Sequence, residues 1–533
     1  VRNTYVRQQQ TLSAAILDLL ELIDTPRALA LAISYRYLKF KDVHKELLED
    51  PCMFSHSRYL LDSQAVALFK KSTYLEKIED LDAKAVANFH ELEDELTILN
   101  RGGFSFEARG ILYTASRIIR RILGPVPELD DLKVSYTSGA TFSRTADLST
   151  LSDKISGFLD VTAHALPYLL KYLGSHPLLF RAYQDKKFKI VRGNKFSTVP
   201  KDFRKVRTIC KEPLGNMLLQ RSFGLYIKDR LKRENIYIET GQSDHIAVLQ
   251  YFSDAWATID QSDASDRISR ALIKELLDPD WFSILDNIRS KRTIINGREH
   301  QLEKFMTQGN GFTFELETLV FYALGQAISI ETHKRTPIFV YGDDMIVVKG
   351  IACDVVRYLP LFGLKVNTEK TFIRGDFKES CGFDILKGYK VRPFYLKEFD
   401  RNETVFYVQL SNYIRRVLKH IFYDDYNHVY SRPWLRVVNC IPVSKRYYGP
   451  YSLGDEVINT DSRPQGYKGA FWKNNILYCT TYKRVYRGGC YRKPTGDSSI
   501  LAYALLGGMS SGTLIRNSRY TLRAARVCPV NWA

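Results

Sequence analysis

The stretch Ile338-Phe-Val-Tyr-Gly-Asp-Asp-Met-Ile-Val-Val348 decides how this chain is read. Two β-prone apolar runs flank Tyr341-Gly342-Asp343-Asp344, and glycine permits the tight turn between them. The pattern therefore predicts an antiparallel hairpin with both carboxylates at its tip. Adjacent acids at the end of a buried hairpin repel each other and cost stability unless a cation or another partner compensates. A Mg²⁺ site is the economical explanation. A Gly-Asp turn with a second acid is common, however, so the reading needs an independent acid elsewhere.

That acid stands in Trp256-Ala-Thr-Ile-Asp-Gln-Ser-Asp-Ala-Ser-Asp266, where a short β-prone run ends at Asp260 and a helix-like segment follows. Asp260, Asp343 and Asp344 together form an oxygen-ligand set. Such a set suits two-metal phosphoryl transfer, in which ions about 3.5–4 Å apart serve the attacking and leaving oxygens. Taken singly, Asp263 and Ser265 read as helix-capping residues, since Asp and Ser are preferred at a helix start. Between the two acidic elements lies Thr307-Gln-Gly-Asn-Gly-Phe-Thr-Phe-Glu-Leu-Glu317. Gly309 and Gly311 let backbone approach a ligand closely, Asn310 both donates and accepts hydrogen bonds, and a nucleotide sugar fits such a loop. Alone, a Gly-Asn-Gly loop is an ordinary turn; its position between the acids gives it weight.

The rest of the chain agrees with a polyanionic partner. Its 533 residues exceed what one core supports, so two to four subdomains around a cleft are expected, and 45% hydrophobic with 26% charged residues is an ordinary globular balance. The formal charge of +18 favours nucleic acid, with an anionic membrane surface as the alternative. No apolar run approaches a membrane span; residues 318–330, the nearest candidate, read as a buried helix, and membrane insertion is not expected. The N-terminal stretch, broken by Asp18, Glu21 and Asp24, lacks the apolar core of a secretory signal, which points to the cytosol. Eight scattered cysteines (Cys52, Cys210, Cys353, Cys381, Cys440, Cys479, Cys490 and Cys528) form no CxxC pairs and read as reduced, mostly structural thiols.

Residues 106–123 place Ile111, Ala115, Ile118, Ile119 and Ile122 at helical spacing with Arg117, Arg120 and Arg121 off the stripe; those arginines read as a solvated face. Residues 186–211 differ. There Lys186, Lys187, Lys189, Arg192, Lys195, Lys201, Arg204, Lys205, Arg207 and Lys211 face one acid, Asp202, and interleave with apolar residues, as if short strands hold the bases for phosphate. The tail, with Lys445-Arg446-Tyr447-Tyr448, Tyr482-Lys483-Arg484-Val485-Tyr486-Arg487 and Tyr491-Arg492-Lys493, fits both base stacking and half-buried strands.

In this order the motifs resemble the RNA-directed RNA polymerases, most closely the replicase subunits of single-stranded RNA bacteriophages. The resemblance is carried by Pro200-Lys201 through Glu212-Pro213, Ala257-Thr-Ile-Asp260 with Ser262 and Asp266, Gly309 to Glu317, Tyr341-Gly-Asp-Asp344, Asn367-Thr-Glu-Lys-Thr-Phe372 and Glu379-Ser-Cys-Gly382. It is weaker at Ser138-Gly-Ala-Thr141 and covers residues 100–400 well. It implies an α+β right-hand fold, an antiparallel palm sheet flanked by helices. A helix-rich region (1–185) would serve fingers and template channel, with fingers (186–255), palm (256–395) and a thumb with a basic, aromatic tail (396–533).

The resemblance further implies two Mg²⁺ ions, with Mn²⁺ a possible substitute, on Asp260, Asp343 and Asp344. Lys201, Lys205 and Arg207 would line the triphosphate channel. Gly309, Asn310 and Thr313 would join the nucleotide site, Asp266 and Asn310 reading the ribose 2′-hydroxyl. Lys370 would protonate departing pyrophosphate. It also implies a single-stranded RNA template, ribonucleoside triphosphates, initiation without a primer, and work in the host bacterial cytoplasm with elongation factors Tu and Ts and, in some members, a large ribosomal RNA-binding protein. One departure is Gln261-Ser262-Asp263-Ala264, where the family commonly has an apolar residue and then Ser-Ala-Ala. A reverse transcriptase shares the acids but has no use for Asp266 and Asn310 aimed at a 2′-hydroxyl. A non-catalytic RNA-packaging protein accounts for the charge and leaves the acids unexplained.

Overall fold

The computed structural model describes residues 2–48, 55–72, 80–137, 139–145, 151–185, 188–203, 205–251, 253–400, 402–422, 432–462, 464–474, 476–486 and 520–527. Lys186, Lys187, Arg204, Arg487, Tyr491, Arg492, Lys493, Ser138, Cys52, Cys490 and Cys528 lie outside them. The chain is α+β, with helices bracketing small, mostly antiparallel sheets.

Local chemistry sets the helix boundaries near the site. Asp80 caps the helix Leu81–Gly102 by accepting from the Asp82 and Ala83 amides, each at 3.1 Å. Ser105 caps Phe106–Leu123 through the Ala108 amide at 3.2 Å, and Gly124 ends that helix at φ 66°. As its spacing requires, the second helix buries Ile111, Ala115, Ile119 and Ile122. Arg120 and Arg121 form surface ion pairs with Asp278 and Glu234, in keeping with a solvated face.

The central sheet has three antiparallel strands in the order Trp256–Ile259, Asp344–Val348, Ile338–Tyr341, so the strand leading to Asp260 lies beside the second strand of the acidic hairpin. Alternation gives it two apolar faces. Ala257, Ile259, Ile338, Val340, Met345 and Val347 join the main core, built from residues 104–364. Ile346, with Trp256 and Phe339 beside it, packs on Leu249 and Ile385 behind the sheet. The helix Thr313–Glu331 covers the first face and contacts both Phe106–Leu123 and the strand Ile338–Tyr341. Residues 318–330 are thus a buried helix, and among the described residues no helix is long and apolar enough to cross a membrane.

The basic stretch forms a hairpin, Asn194–Pro200 with Val206–Lys211, at one edge of a four-stranded sheet completed by Arg292–Ile295 and Arg298–Gln301. A second core joins distant parts of the chain: Leu12 to Phe69 from the first helices packs with Phe377, Leu386, the helix Glu403–Phe422 and Tyr482. Within the tail, Ile476–Tyr486 pairs with Ala470–Lys473 and Tyr520–Val527, the half-buried strand that its alternation allowed. Cys210, Cys381 and Cys479 are buried, and Cys353 and Cys440 are exposed.

Candidate active site

The acidic hairpin turns as its sequence requires. Tyr341 pairs with Asp344, and Gly342 sits at φ 64°, where side chains other than glycine are strained. A Cβ at Gly342 would lie 2.6 Å from the Phe314 ring. The Gly342 amide donates to Thr318 Oγ1 at 3.0 Å, so the turn is tied to the first turns of the long apolar helix. Asp260 follows directly after its strand, which pairs Ile259 with Met345 next to Asp344. The sheet thereby gathers the three acids at one end, all half-buried.

Asp260 is held from the other side. Asn367 donates its side-chain amide to Asp260 Oδ2 at 2.7 Å and its backbone amide to the Asp260 carbonyl at 2.9 Å, while Thr258 and Phe372 exchange backbone bonds at 3.2 and 2.8 Å. Burial pushes the Asp260 pKa up to about 6; Lys370 and the Asn367 bond oppose the rise, and Asp343 and Glu379 add to it. Asp344 is pushed up to about 8 by burial and by the charges of Asp343 and Asp260, against a Cys381 backbone bond. Asp343 is raised by burial despite the pull of Lys201, Arg207 and Lys370. Burial thus raises all three, and the charge of Asp343 adds to the rise at Asp260 and Asp344. Among the described residues, no group of three or more His, Cys, Asp or Glu side chains is placed closely enough to hold a metal ion.

The basic groups face these acids from two elements. Arg207 lies opposite Val199 on the basic hairpin, and the connection closes through the Lys201 amide to the Lys205 carbonyl at 3.1 Å and the Lys205 amide to Asp202 Oδ1 at 3.0 Å. Desolvation, then Arg207 and Lys370, lowers the Lys201 pKa, which places those three cations near one another. Lys370 bonds Glu379 Oε1 at 3.0 Å; burial works against its proton, but Glu379, Asp260 and Asp344 outweigh it and the pKa rises.

The inward side of the same basic strand meets the glycine loop and Asp266. The Cys210 amide donates to the Gln308 carbonyl at 2.9 Å, and a Cβ at Gly309, whose φ is 140°, would lie 2.1 Å from the Cys210 carbonyl oxygen. Only glycine permits that approach. Asn310 Oδ1 accepts from the Thr307 amide at 2.9 Å and from Thr307 Oγ1 at 2.5 Å, and Thr313 Oγ1 donates to the Thr307 carbonyl at 2.8 Å. Asn310 and Thr313 therefore shape the loop with their side-chain oxygens. Asp266 is buried, with Oδ2 at 3.5 Å from Thr208 Oγ1 and Oδ1 at 2.9 Å from Lys304 Nζ.

Several partners escaped the sequence reading. Lys304 and its second carboxylate Glu93, Asn367 on Asp260 and Glu379 on Lys370 are all such. So is Glu317, buried, with its carboxyl raised well above the ordinary carboxylate range, first by desolvation and then by Asp343, Asp266 and Asp344. Lys304 stands beside Glu303 between Leu302 and Phe305-Met306, a pair of charges in a polar stretch that gives no sign of burial. The expected capping differs too. Asp263 stands at the N-cap of Ala264–Arg267 but at φ 52° and without a cap bond, Ser265 lies inside that turn, and Ser269 caps the next helix through the Leu272 amide at 2.9 Å. Asp263 faces solvent.

A family model described as RNA replicase, beta-chain, matches residues 8–419. The RNA-directed RNA polymerase beta chain of Enterobacteria phage fr is 36% identical over 327 residues, 59% of this chain and 60% of that protein. That of Escherichia phage MS2 is 36% identical over 330 residues, with the same coverage. The chain thus spans about 60% of the length of these curated relatives. Among solved structures, an insertion-loop deletion mutant of the RNA-dependent RNA polymerase of a human picorbirnavirus aligns with 70% of this chain and 88% of its own at 14% identity and a TM-score of 0.36.

Proposed function

Because the chain belongs to the RNA replicase beta-chain family, we propose that it is the catalytic subunit of an RNA-directed RNA polymerase that copies a phage single-stranded RNA genome from ribonucleoside triphosphates. The observation that carries this reading is the gathering of Asp260, Asp343 and Asp344 at one end of an antiparallel sheet, with Lys201, Arg207 and Lys370 as the opposing charges. In this reading residues 256–395 are the palm, 186–255 the fingers and 396–533 the thumb. The first 185 residues serve both ends: the first helices pack with the thumb, and Leu81–Gly102 and Phe106–Leu123 flank the palm and fingers.

The donor set has the chemistry of a hard divalent cation site: three carboxyl groups at one sheet end, with burial and the charge of Asp343 working against ionisation of Asp260 and Asp344. Two Mg²⁺ ions, or Mn²⁺ in their place, held by Asp260, Asp343 and Asp344 would supply activation of a 3′-hydroxyl and neutralisation of the leaving pyrophosphate. The reaction joins the RNA 3′-oxygen to the α-phosphorus and breaks the bond to the β-phosphate oxygen. The chain's own groups position and neutralise. Lys201, Lys205 and Arg207 bind the triphosphate, Asn367 orients Asp260, and Lys370, steadied by Glu379, gives a proton to pyrophosphate. Asp266 accepts a hydrogen bond from the ribose 2′-hydroxyl and Asn310 donates one, on the loop that Gly309 and Thr313 shape. Initiation without a primer, the host bacterial cytoplasm, elongation factors Tu and Ts and a large ribosomal RNA-binding protein complete the proposal by family likeness.

The test is incorporation of labelled ribonucleotides, against deoxyribonucleotides, on an RNA template by the full chain purified with its bacterial partners. Selective ribonucleotide incorporation supports the reading. Deoxyribonucleotide incorporation instead would identify a reverse transcriptase, and tight RNA binding without synthesis in the presence of host factors a packaging protein.

A further inference from the structure

We infer that Lys304 and Glu93 are positioning residues that hold Asp266 for selection of the ribose, so that the N-terminal helix Leu81–Gly102 takes part in choosing the sugar; this rests on the polymerase reading above. Lys304 is completely buried, with Nζ 2.9 Å from Asp266 Oδ1, 3.2 Å from Glu93 Oε1 and 3.9 Å from the centre of the Phe89 ring. Glu93 is fixed in turn by the Glu303 amide, which donates to Oε2 at 2.5 Å. Phe89 and Glu93 stand one turn apart on the same helix face. That helix is sewn to both neighbours of the site. Asn100 donates to the Glu303 carbonyl at 2.9 Å and accepts from the Ala271 amide at 2.8 Å, and Glu95 pairs with Arg267 at 2.7 Å.

The arrangement divides the labour of one carboxylate. Lys304 pins Oδ1, which leaves Oδ2 directed to the inner side of the basic strand at Thr208, two residues from Cys210 where the glycine loop docks. A carboxylate held by one oxygen presents the other in a fixed direction, and a hydroxyl donor is recognised by direction as much as by charge. Ion pairs this deeply buried recover little of their desolvation cost, so a gain in specificity is the better account of why two acids and a lysine are kept here.

The experiment compares kcat and KM for a ribonucleoside triphosphate and its 2′-deoxy counterpart, using the full chain with its bacterial partners. The variants are Lys304→Met, Lys304→Arg, Glu93→Gln and Phe89→Leu, with Asp266→Asn as benchmark and Asp94→Asn, exposed on the same helix, as control. Lys304→Met is expected to lower the preference for the ribonucleotide by about tenfold to a hundredfold. The loss comes through a higher ribonucleotide KM with the deoxynucleotide KM unchanged. Lys304→Arg restores part of it, Glu93→Gln and Phe89→Leu lose severalfold, and Asp94→Asn loses none. If Lys304→Met does not fold, Glu93→Gln and Phe89→Leu decide the matter, because each leaves the Lys304–Asp266 pair in place. Ribonucleotide and deoxynucleotide use falling in parallel, or an unchanged preference, overturns the inference while leaving the polymerase reading intact. A wild-type chain that binds RNA and incorporates neither nucleotide removes that reading, and this inference with it.

Discussion

Asp344→Asn is expected to stabilise the metal-free protein at alkaline pH. In the folded chain, burial and the charges of Asp343 and Asp260 push the Asp344 carboxyl from its ordinary 3.8 up to about 8. A raised carboxyl binds its proton more tightly folded than unfolded, so its unfavourable contribution is absent below about pH 4. It grows as pH rises and is complete above about pH 8. A rise of about four pH units at about 1.4 kcal/mol each sets a ceiling of about 6 kcal/mol. The carboxylate is only half-buried and shares its shift with two neighbours, so solvent screening reduces the gain from its removal to about 1–2 kcal/mol. For a cooperative unit the size of the main core that is about 2–4 °C in Tm. The assay is thermal unfolding of both proteins in chelator at pH 5 and pH 8.5, repeated with Mg²⁺. The variant should melt higher at pH 8.5 and nearly level at pH 5, and Mg²⁺ should raise the wild type more than the variant. A variant less stable than wild type at pH 8.5, or a difference independent of pH, would refute the reasoning that Asp344 is an undercompensated acid.

Other perturbations test neighbouring parts of the account. Arg207→Ala should raise the nucleotide KM with little change in RNA affinity, and an unaltered KM in steady-state incorporation would remove Arg207 from the triphosphate path. RNA affinity should fall with salt with a log-log slope of about −0.7 per phosphate neutralised on a single strand; a flat dependence in filter binding contradicts a basic channel. Gly342→Ala combines φ 64° with a Cβ 2.6 Å from the Phe314 ring. It should cost about 1–3 kcal/mol in stability measurements and more in activity, since the turn carries Asp343; a neutral variant would show that the turn tolerates movement.

Much of the candidate site was legible because it depends on local rules. Period-two apolar runs around Gly342 define a hairpin wherever it sits, and a strand that ends at Asp260 puts that acid at a sheet end. Once the two pair, the three acids lie at the same end of the sheet. The basic run likewise showed its strands through interleaved apolar residues. What stayed hidden depends on partners far apart in the chain. Lys304 reaches Asp266 and Glu93 across 38 and 210 or so positions, and a buried ion pair leaves no periodic trace. The packing of Leu12 to Phe69 against residues beyond Phe377 is equally silent, because an amphipathic helix announces that it has an apolar face but not what covers it. Asp263 misled for a related reason. Its residue type suits a cap, yet the bridge of Gln261 to Val366 and the bond from the Ser262 amide to the Lys365 carbonyl at 2.7 Å fix the chain just before it, and Asp263 follows in a left-handed conformation without a cap bond.

Asp260, Asp343 and Asp344 are proposed as the metal-holding acids of a nucleotidyl transfer centre. The most direct measurement is Mg²⁺-dependent ribonucleotide incorporation on an RNA template by wild type and Asp343→Asn, with RNA binding measured on the same preparations. The variant should bind RNA nearly as well as wild type and incorporate nothing at any Mg²⁺ concentration. Incorporation that survives the substitution would contradict that assignment.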